Sequence, residues 1–164
     1  MNLPQRKQHR LRNWDYGAPG WYFVTICTKD KRPLLSEVRG DDATFRTMLT
    51  PVGKMVEDSW NKLSQIAPHI HTDAVCIMPN HVHGIIVIEE HPIAQRRSLG
   101  ELMHGFKSAT TRRFNQIVPA DQKNTLWQDS YYDEIIRNDA MLENARNYIT
   151  GNPGKWLEDP MYIQ

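Results

Sequence analysis

The sequence predicts an α+β fold: a mostly antiparallel sheet with helices packed on it. Three observations carry this. β-branched, aromatic and apolar residues recur with strand character at 21–28, 70–78, 82–88 and 130–136. Helical spacing with capping signals follows Thr50, Ser98 and Asn138. The resulting order is strand, small hairpin, helix, strand, strand, helix, strand, helix, which contains a βαββαβ frame of the ferredoxin-like kind. The 164 residues are 40% hydrophobic and 24% charged, values that suit one globular domain and exclude a mainly disordered chain. That domain is expected over 21–164, behind a basic arm over 1–20.

The arm is punctuated by Gly17 and Pro19-Gly20. The run from Trp21 to Thr28 reads as a strand. Segments 34–38 and 43–49 flank Gly40-Asp41-Asp42, and the alternation of Phe45, Thr47 and Leu49 suggests a small hairpin. Thr50 is a plausible N-cap with Pro51 at the first helical position, and Val52, Val56, Trp60 and Leu63 follow at helical spacing.

Strands 70–78 and 82–88 meet at Met78-Pro79-Asn80-His81. Pro79 cannot supply the positive φ of a primed two-residue turn, so a four-residue loop is expected. The register that follows pairs Ile77 with Val82, Cys76 with His83 and Ala74 with Ile85. It puts His81 and His83 on the face of Cys76, Ala74, Ile85 and Val87, and His69 and His71 on the opposite face. A one-residue slip would reverse that assignment. Further on, Ser98 and Glu101 form a capping-box pattern, and Leu99, Leu102, Met103, Phe106 and Thr110 line one helix face. Asn138 can cap a last helix over 139–151, which Gly151 and Pro153 end.

The formal net charge is +1, but its distribution is uneven. Residues 1–13 carry +4 through Arg6, Lys7, Arg10 and Arg12, and residues 96–113 carry +4 through bases that include Lys107, Arg112 and Arg113. The intervening and following stretches carry −3 and −4. Two basic segments are the footprint of a polyanion partner, although solvated helix and tail faces produce the same pattern. No apolar run approaches the ~20 residues that span a bilayer. No apolar stretch follows the basic N-terminus, so a secretory signal is not expected. Two cysteines cannot make a disulfide framework, and the expected compartment is the cytoplasm.

His81-Val82-His83 places two imidazoles on one strand face, where they can hold a divalent cation or serve as ordinary strand histidines. Cys76 opposite His83 would supply a third, zinc-type ligand or a packing thiol. His69 and His71 read as ordinary strand-end histidines. On the last helix, Tyr148 and Asn152 fall in the sector of Met141, Leu142, Ala145 and Ile149, four residues apart. A phenol and an amide on an apolar stripe need partners. If this face covers His81 and His83, the amide oxygen completes a cation site with the phenol beside it. Tyrosine is a usable nucleophile, and a cation stabilises charge in phosphodiester displacement. Alternatively, Asn152 is a helix C-cap and Tyr148 packs at the core rim. Tyr131 and Tyr132 are rival nucleophiles that point to opposite strand faces.

Together these residues resemble a known family. Met78-Pro79-Asn80-His81-Val82-His83-Gly84 is similar to the His-hydrophobic-His (HUH) strand of single-tyrosine transposases, and Tyr148-Ile149-Thr150-Gly151-Asn152-Pro153 to their nucleophile helix. The subgroup it most resembles is the REP-associated tyrosine transposases. Trp14-Asp15-Tyr16, the Pro19–Thr28 run, Gly105-Phe106-Lys107-Ser108 and Leu126–Asp133 add to the similarity, which runs from about residue 10 to 156. The resemblance implies a ferredoxin-like HUH domain that cleaves and rejoins single-stranded DNA beside a hairpin. Cleavage would leave a 5′-phosphotyrosine and a free 3′-OH. It implies Tyr148 as nucleophile and His81, His83 and Asn152 as ligands of Mg²⁺ or Mn²⁺. Insertion-sequence relatives act as dimers and the REP-associated subgroup as monomers, and the residues leave both open. Arg6, Lys7, Arg10 and Arg12 would then follow a phosphate backbone. Lys107, Arg112 and Arg113 would hold the stem or the displaced strand, and Trp14 and Trp127 could stack on unpaired bases, although each aromatic taken singly is more often a core residue. The alternatives are a catalytically silent hairpin-binding protein and an unrelated zinc hydrolase using Cys76.

Overall fold

A computed structural model describes residues 14–41 and 44–162. The order of elements matches the sequence reading. Strand β1 is Gly20–Cys27, the hairpin is β2 (Ser36–Asp41) and β3 (Thr44–Leu49), and α1 is Pro51–Asn61. Then come β4 (Ile70–Ile77), β5 (His81–Ile88), α2 (Leu99–Ile117), β6 (Tyr132–Ile136) and α3 (Asp139–Gly151). A 3₁₀ turn over Asn152–Glu158 continues from α3.

The main sheet runs β4-β5-β1-β6 with every neighbour antiparallel, the strand order of the ferredoxin-like frame. Helix α1 starts as the sequence predicts: the Thr50 hydroxyl accepts from the Gly53 N–H at 3.1 Å, and Pro51 needs no hydrogen bond there. Helix α2 opens with a complete capping box, Ser98 and Glu101 each bonding the other's backbone N–H. Asn138 caps α3 through the Met141 N–H at 2.9 Å.

Strand β5 is buried at every position. Its even residues Val82, Ile86 and Ile88 join Tyr22, Val24 and Ile26 of β1 in a core with Val56, Trp60, Leu102, Met103 and Phe106 of α1 and α2. Gly84 belongs to that side because the Trp60 ring lies where a Cβ would project, 2.3 Å from the nearest ring atom. The odd residues of β5 face the other way, under α3.

Four expectations need correction. The β4–β5 register holds at Ile77–Val82 and Cys76–His83 but shifts between Thr72 and Val75. At the shift Asp73 and Ala74 share the place opposite Ile85, so that beyond it Thr72 opposes Ile86 and His71 opposes Val87. This β-bulge, on an edge strand, turns His71 onto the face of His81 and His83, where its Nε2 lies 3.2 Å from the Glu89 carboxylate. His71 stays several residues along the strand from that pair. The fourth main strand begins at Tyr132, two residues later than expected. The side of α3 that looked apolar is only half covered, and Ile149 is its one buried residue. Finally, Trp127 is not a stacking platform: it is 3% exposed, and its indole N–H donates to Thr110 Oγ1 at 2.7 Å.

Candidate metal and nucleophile site

His81 and His83 open β5 and share one face, their rings 4.4 Å apart. Each is oriented through Nδ1. His81 Nδ1 meets Asn80 Oδ1 at 2.9 Å, and His83 Nδ1 meets Thr25 Oγ1 of β1 at 2.8 Å. These contacts leave both Nε2 atoms aimed the same way, buried and without a hydrogen-bond partner. Burial pushes His81 down to about 4, against the opposing pull of Asp159 and Asn152. Burial and the neighbouring His81 push His83 down to about 3. Both rings are therefore neutral at physiological pH, the form that binds a cation.

Helix α3 crosses this face. The bulge at Thr72–Val75 contains Asp73, whose carboxylate accepts from Arg146 Nε at 2.7 Å. The Arg146 guanidinium also lies 5.8 Å from the centre of the Trp21 ring. These contacts hold α3 against β4 and β1 and set the Tyr148 ring 5.1 Å from His83 and 5.9 Å from Phe23. Tyr148 is 45% exposed. Its pKa is raised, first by burial and then by the charge of Asp159, while the Asn152 amide lowers it.

Asn152 sits at the end of α3 with helical backbone angles, and it does not end the chain's helical path. It is 2% exposed. Its amide biases both His81 and Tyr148, yet its Oδ1 closes no hydrogen bond with either. Three buried donor atoms, His81 Nε2, His83 Nε2 and Asn152 Oδ1, are thus left without partners at one place. A buried polar atom without a hydrogen-bond partner is costly, and a divalent cation would satisfy all three at once. The donor set therefore fits a metal. His81, His83 and Asp159 also bring one ligand atom each within 4.8 Å of one another, a group that can hold a divalent ion. Cys76 does not join that group. Its sulfur lies 3.6 Å from Met78 Sδ, and burial pushes its thiol up to about 11.

The sequence-predicted DNA-binding residues separate. Arg6, Lys7, Arg10 and Arg12 lie outside the described residues. Arg112 is exposed. Lys107, in contrast, donates to the Gln128 and Asp129 carbonyls, and Arg113 donates to Ser59 Oγ at 2.6 Å and the Met55 carbonyl at 3.2 Å. Trp14 is partly exposed, with its N–H directed at the Tyr22 hydroxyl at 3.3 Å. Of the rival tyrosines, Tyr132 stands on the His83 face but in line with Thr25, one strand further away, and Tyr131 packs against the core.

Sequence reasoning missed three residues here. Asn80 was visible only as a turn residue, although its position before His81 was a usable signal. Thr25 depended on the β1–β5 register, and Asp159 had no local signal.

A family model for IS200-like transposases matches residues 21–152. The chain belongs to the IS200-like transposase family. It is therefore a DNA-processing protein of the transposase kind, built on the α+β fold described above. Among relatives, it is 29% identical to an uncharacterised Haemophilus influenzae protein over 98% of this chain and 95% of that protein. It is 24% identical to a candidate REP-associated tyrosine transposase of the same organism, over 86% of this chain and 74% of the relative. Among solved structures, a REP-associated tyrosine transposase bound to a REP hairpin has a TM-score of 0.64 at 20% identity, covering 89% of this chain and 72% of that one. A candidate transposase of Deinococcus radiodurans has a TM-score of 0.52 at 17% identity, covering 87% and 95%. No helix among the described residues is long and apolar enough to cross a membrane.

Proposed function

We propose that the protein nicks and rejoins single-stranded DNA beside hairpins, with Tyr148 as the nucleophile. The observation that carries this is the meeting of an exposed tyrosine with three buried, unpartnered donors on neighbouring elements. His81, His83 and Asn152 would hold a divalent ion, Mg²⁺ or Mn²⁺. The bound ion supplies charge stabilisation for displacement at a phosphodiester.

The chain's own residues do the rest. Tyr148 gives its phenolic proton to solvent water, and its oxygen forms a bond to phosphorus as the bond to the 3′-oxygen breaks. That oxygen takes a proton from solvent and leaves as a free 3′-OH, while the 5′ side stays attached as a phosphotyrosine. The reverse step rejoins the strand, because the ester keeps the energy of the broken bond. Thr25 and Asn80 fix the two imidazoles so that neither turns its Nε2 away. Phe23 and His83 form the floor under the tyrosine ring. A REP hairpin is the partner of the solved relative, and a comparable hairpin is the expected substrate here. In this reading Arg112 of α2 and, from the arm, Arg6, Lys7, Arg10 and Arg12 would contact the phosphate backbone. The expected compartment is the cytoplasm.

The test is incubation with single-stranded hairpin DNA and Mg²⁺ or Mn²⁺, followed by a denaturing gel. The wild type is expected to give a covalent adduct that Tyr148→Phe abolishes. An adduct that survives Tyr148→Phe refutes the nucleophile. Tight hairpin binding without any adduct favours the silent binding protein.

A further inference from the structure

We propose that Asp159 is a further ligand of the divalent ion, and that the ion thereby fastens the end of the described chain over the site. This rests on the metal-dependent reading above.

The 3₁₀ turn after α3 carries the chain back across the start of β5. There it is tied at several points. Asn80 Nδ2 donates to the Met161 carbonyl at 2.7 Å, and Lys31 Nζ donates to the Pro160 carbonyl at 3.4 Å. The Cys27 and Met161 sulfurs lie 3.9 Å apart. The Trp156 ring bridges His81, at 6.0 Å, and Tyr162, at 5.3 Å. Asn80 therefore serves both sides: its Oδ1 orients His81 while its Nδ2 holds the returning segment.

Asp159 is aimed inward from that segment, its side chain 4% exposed. Oδ1 accepts the Met161 N–H at 2.7 Å, which leaves Oδ2 facing His81 Nε2 at 3.8 Å. That separation is too long for a hydrogen bond. It suits two donors of one ion: atoms each about 2.1 Å from a cation lie roughly 3 to 4 Å apart. The chemistry agrees. Two imidazoles and an amide form a neutral set with a single oxygen, whereas Mg²⁺ and Mn²⁺ favour oxygen donors and carboxylates. Asp159 supplies both the second oxygen and the charge. By linkage, an ion that binds the docked segment must also hold it docked.

The experiment is Mn²⁺ titration of the full chain by calorimetry, for the wild type, Asp159→Asn and His83→Ala. Hydrogen exchange of the Asp159, Met161 and Tyr162 amides is followed with and without Mn²⁺. Asn keeps the Oδ1 acceptor for Met161, so the segment's own packing is preserved. Mn²⁺ affinity is expected to fall at least about tenfold in Asp159→Asn. Mn²⁺ is expected to slow exchange of these amides in the wild type and not in the variant. Equal affinity in Asp159→Asn, with His83→Ala impaired, overturns this proposal and leaves the metal reading standing. Tighter binding in Asp159→Asn also overturns it, making the carboxylate a plug. Equal exchange with and without Mn²⁺ overturns the fastening. Failure of the wild type to bind Mn²⁺ overturns both readings.

Discussion

The two faces of strand β5 do opposite work with alternate residues of one eight-residue stretch. Val82, Ile86 and Ile88 face α1 and α2 in an apolar interior, where Gly84 leaves room for the Trp60 ring. His81 and His83 face α3, where buried nitrogens have no protein partner. The apolar face stabilises the strand, roughly 1.5–3 kcal/mol for each fully buried aliphatic side chain. The other face spends part of that stability on buried polar atoms that have no hydrogen-bond partner in the protein. A chemical site can be this poorly satisfied because the same backbone is anchored from behind. Period-two alternation lets both demands be met without compromise.

This contrast can be attacked from either side. The largest effect is expected on the site face. Thr25→Val keeps the shape and burial of residue 25 but removes the hydroxyl that orients His83. Mn²⁺ affinity and nicking are expected to drop ~10–100-fold with little change in Tm. A large loss of Tm instead would mean that the hydroxyl mainly serves the fold.

The next effect belongs to the core face. Gly84→Ala pushes a methyl group into the Trp60 ring and is expected to cost about 1–3 kcal/mol in urea unfolding. Nicking per folded molecule should persist below the new midpoint. Loss of nicking at full folding would show that the two faces are not independent.

The smallest effects separate two adjacent arginines. Arg112→Ala is expected to weaken hairpin binding a few-fold and to lower the salt slope by about 1. Arg113 is committed to Ser59 and Met55, so Arg113→Ala is expected to lower Tm while leaving the salt slope unchanged. The reverse pattern would mean that Arg113 leaves its partners for DNA.

The division between the faces was largely legible in the sequence. Alternation across 82–88, the caps at Thr50, Ser98 and Asn138, and the spacing of Tyr148 and Asn152 pointed to the elements and to four candidate site residues, His81, His83, Tyr148 and Asn152. The bulge was not legible. Strand β4 is half-exposed over most of its length, so its side-chain pattern does not fix a register, and Thr72-Asp73-Ala74 carries no glycine to mark the irregularity. That bulge positions Asp73 for Arg146. Asp159 was equally hidden, because its approach depends on the path of the chain after α3. The protein partners of Lys107 and Arg113 were hidden for a simpler reason. A basic residue on a helix reads as solvated in sequence, and only the structure shows a carbonyl or hydroxyl waiting for it.

The central claim is that Tyr148 is the group that joins covalently to DNA. Trypsin cleavage after Arg146 and Lys155 releases residues 147–155, in which Tyr148 is the single tyrosine. The most direct measurement is mass spectrometry of the trapped adduct after nuclease and trypsin digestion. The expected result is a 5′-linked nucleotide on the 147–155 peptide. A nucleotide on the peptide holding Tyr131 and Tyr132, with 147–155 unmodified, would contradict it.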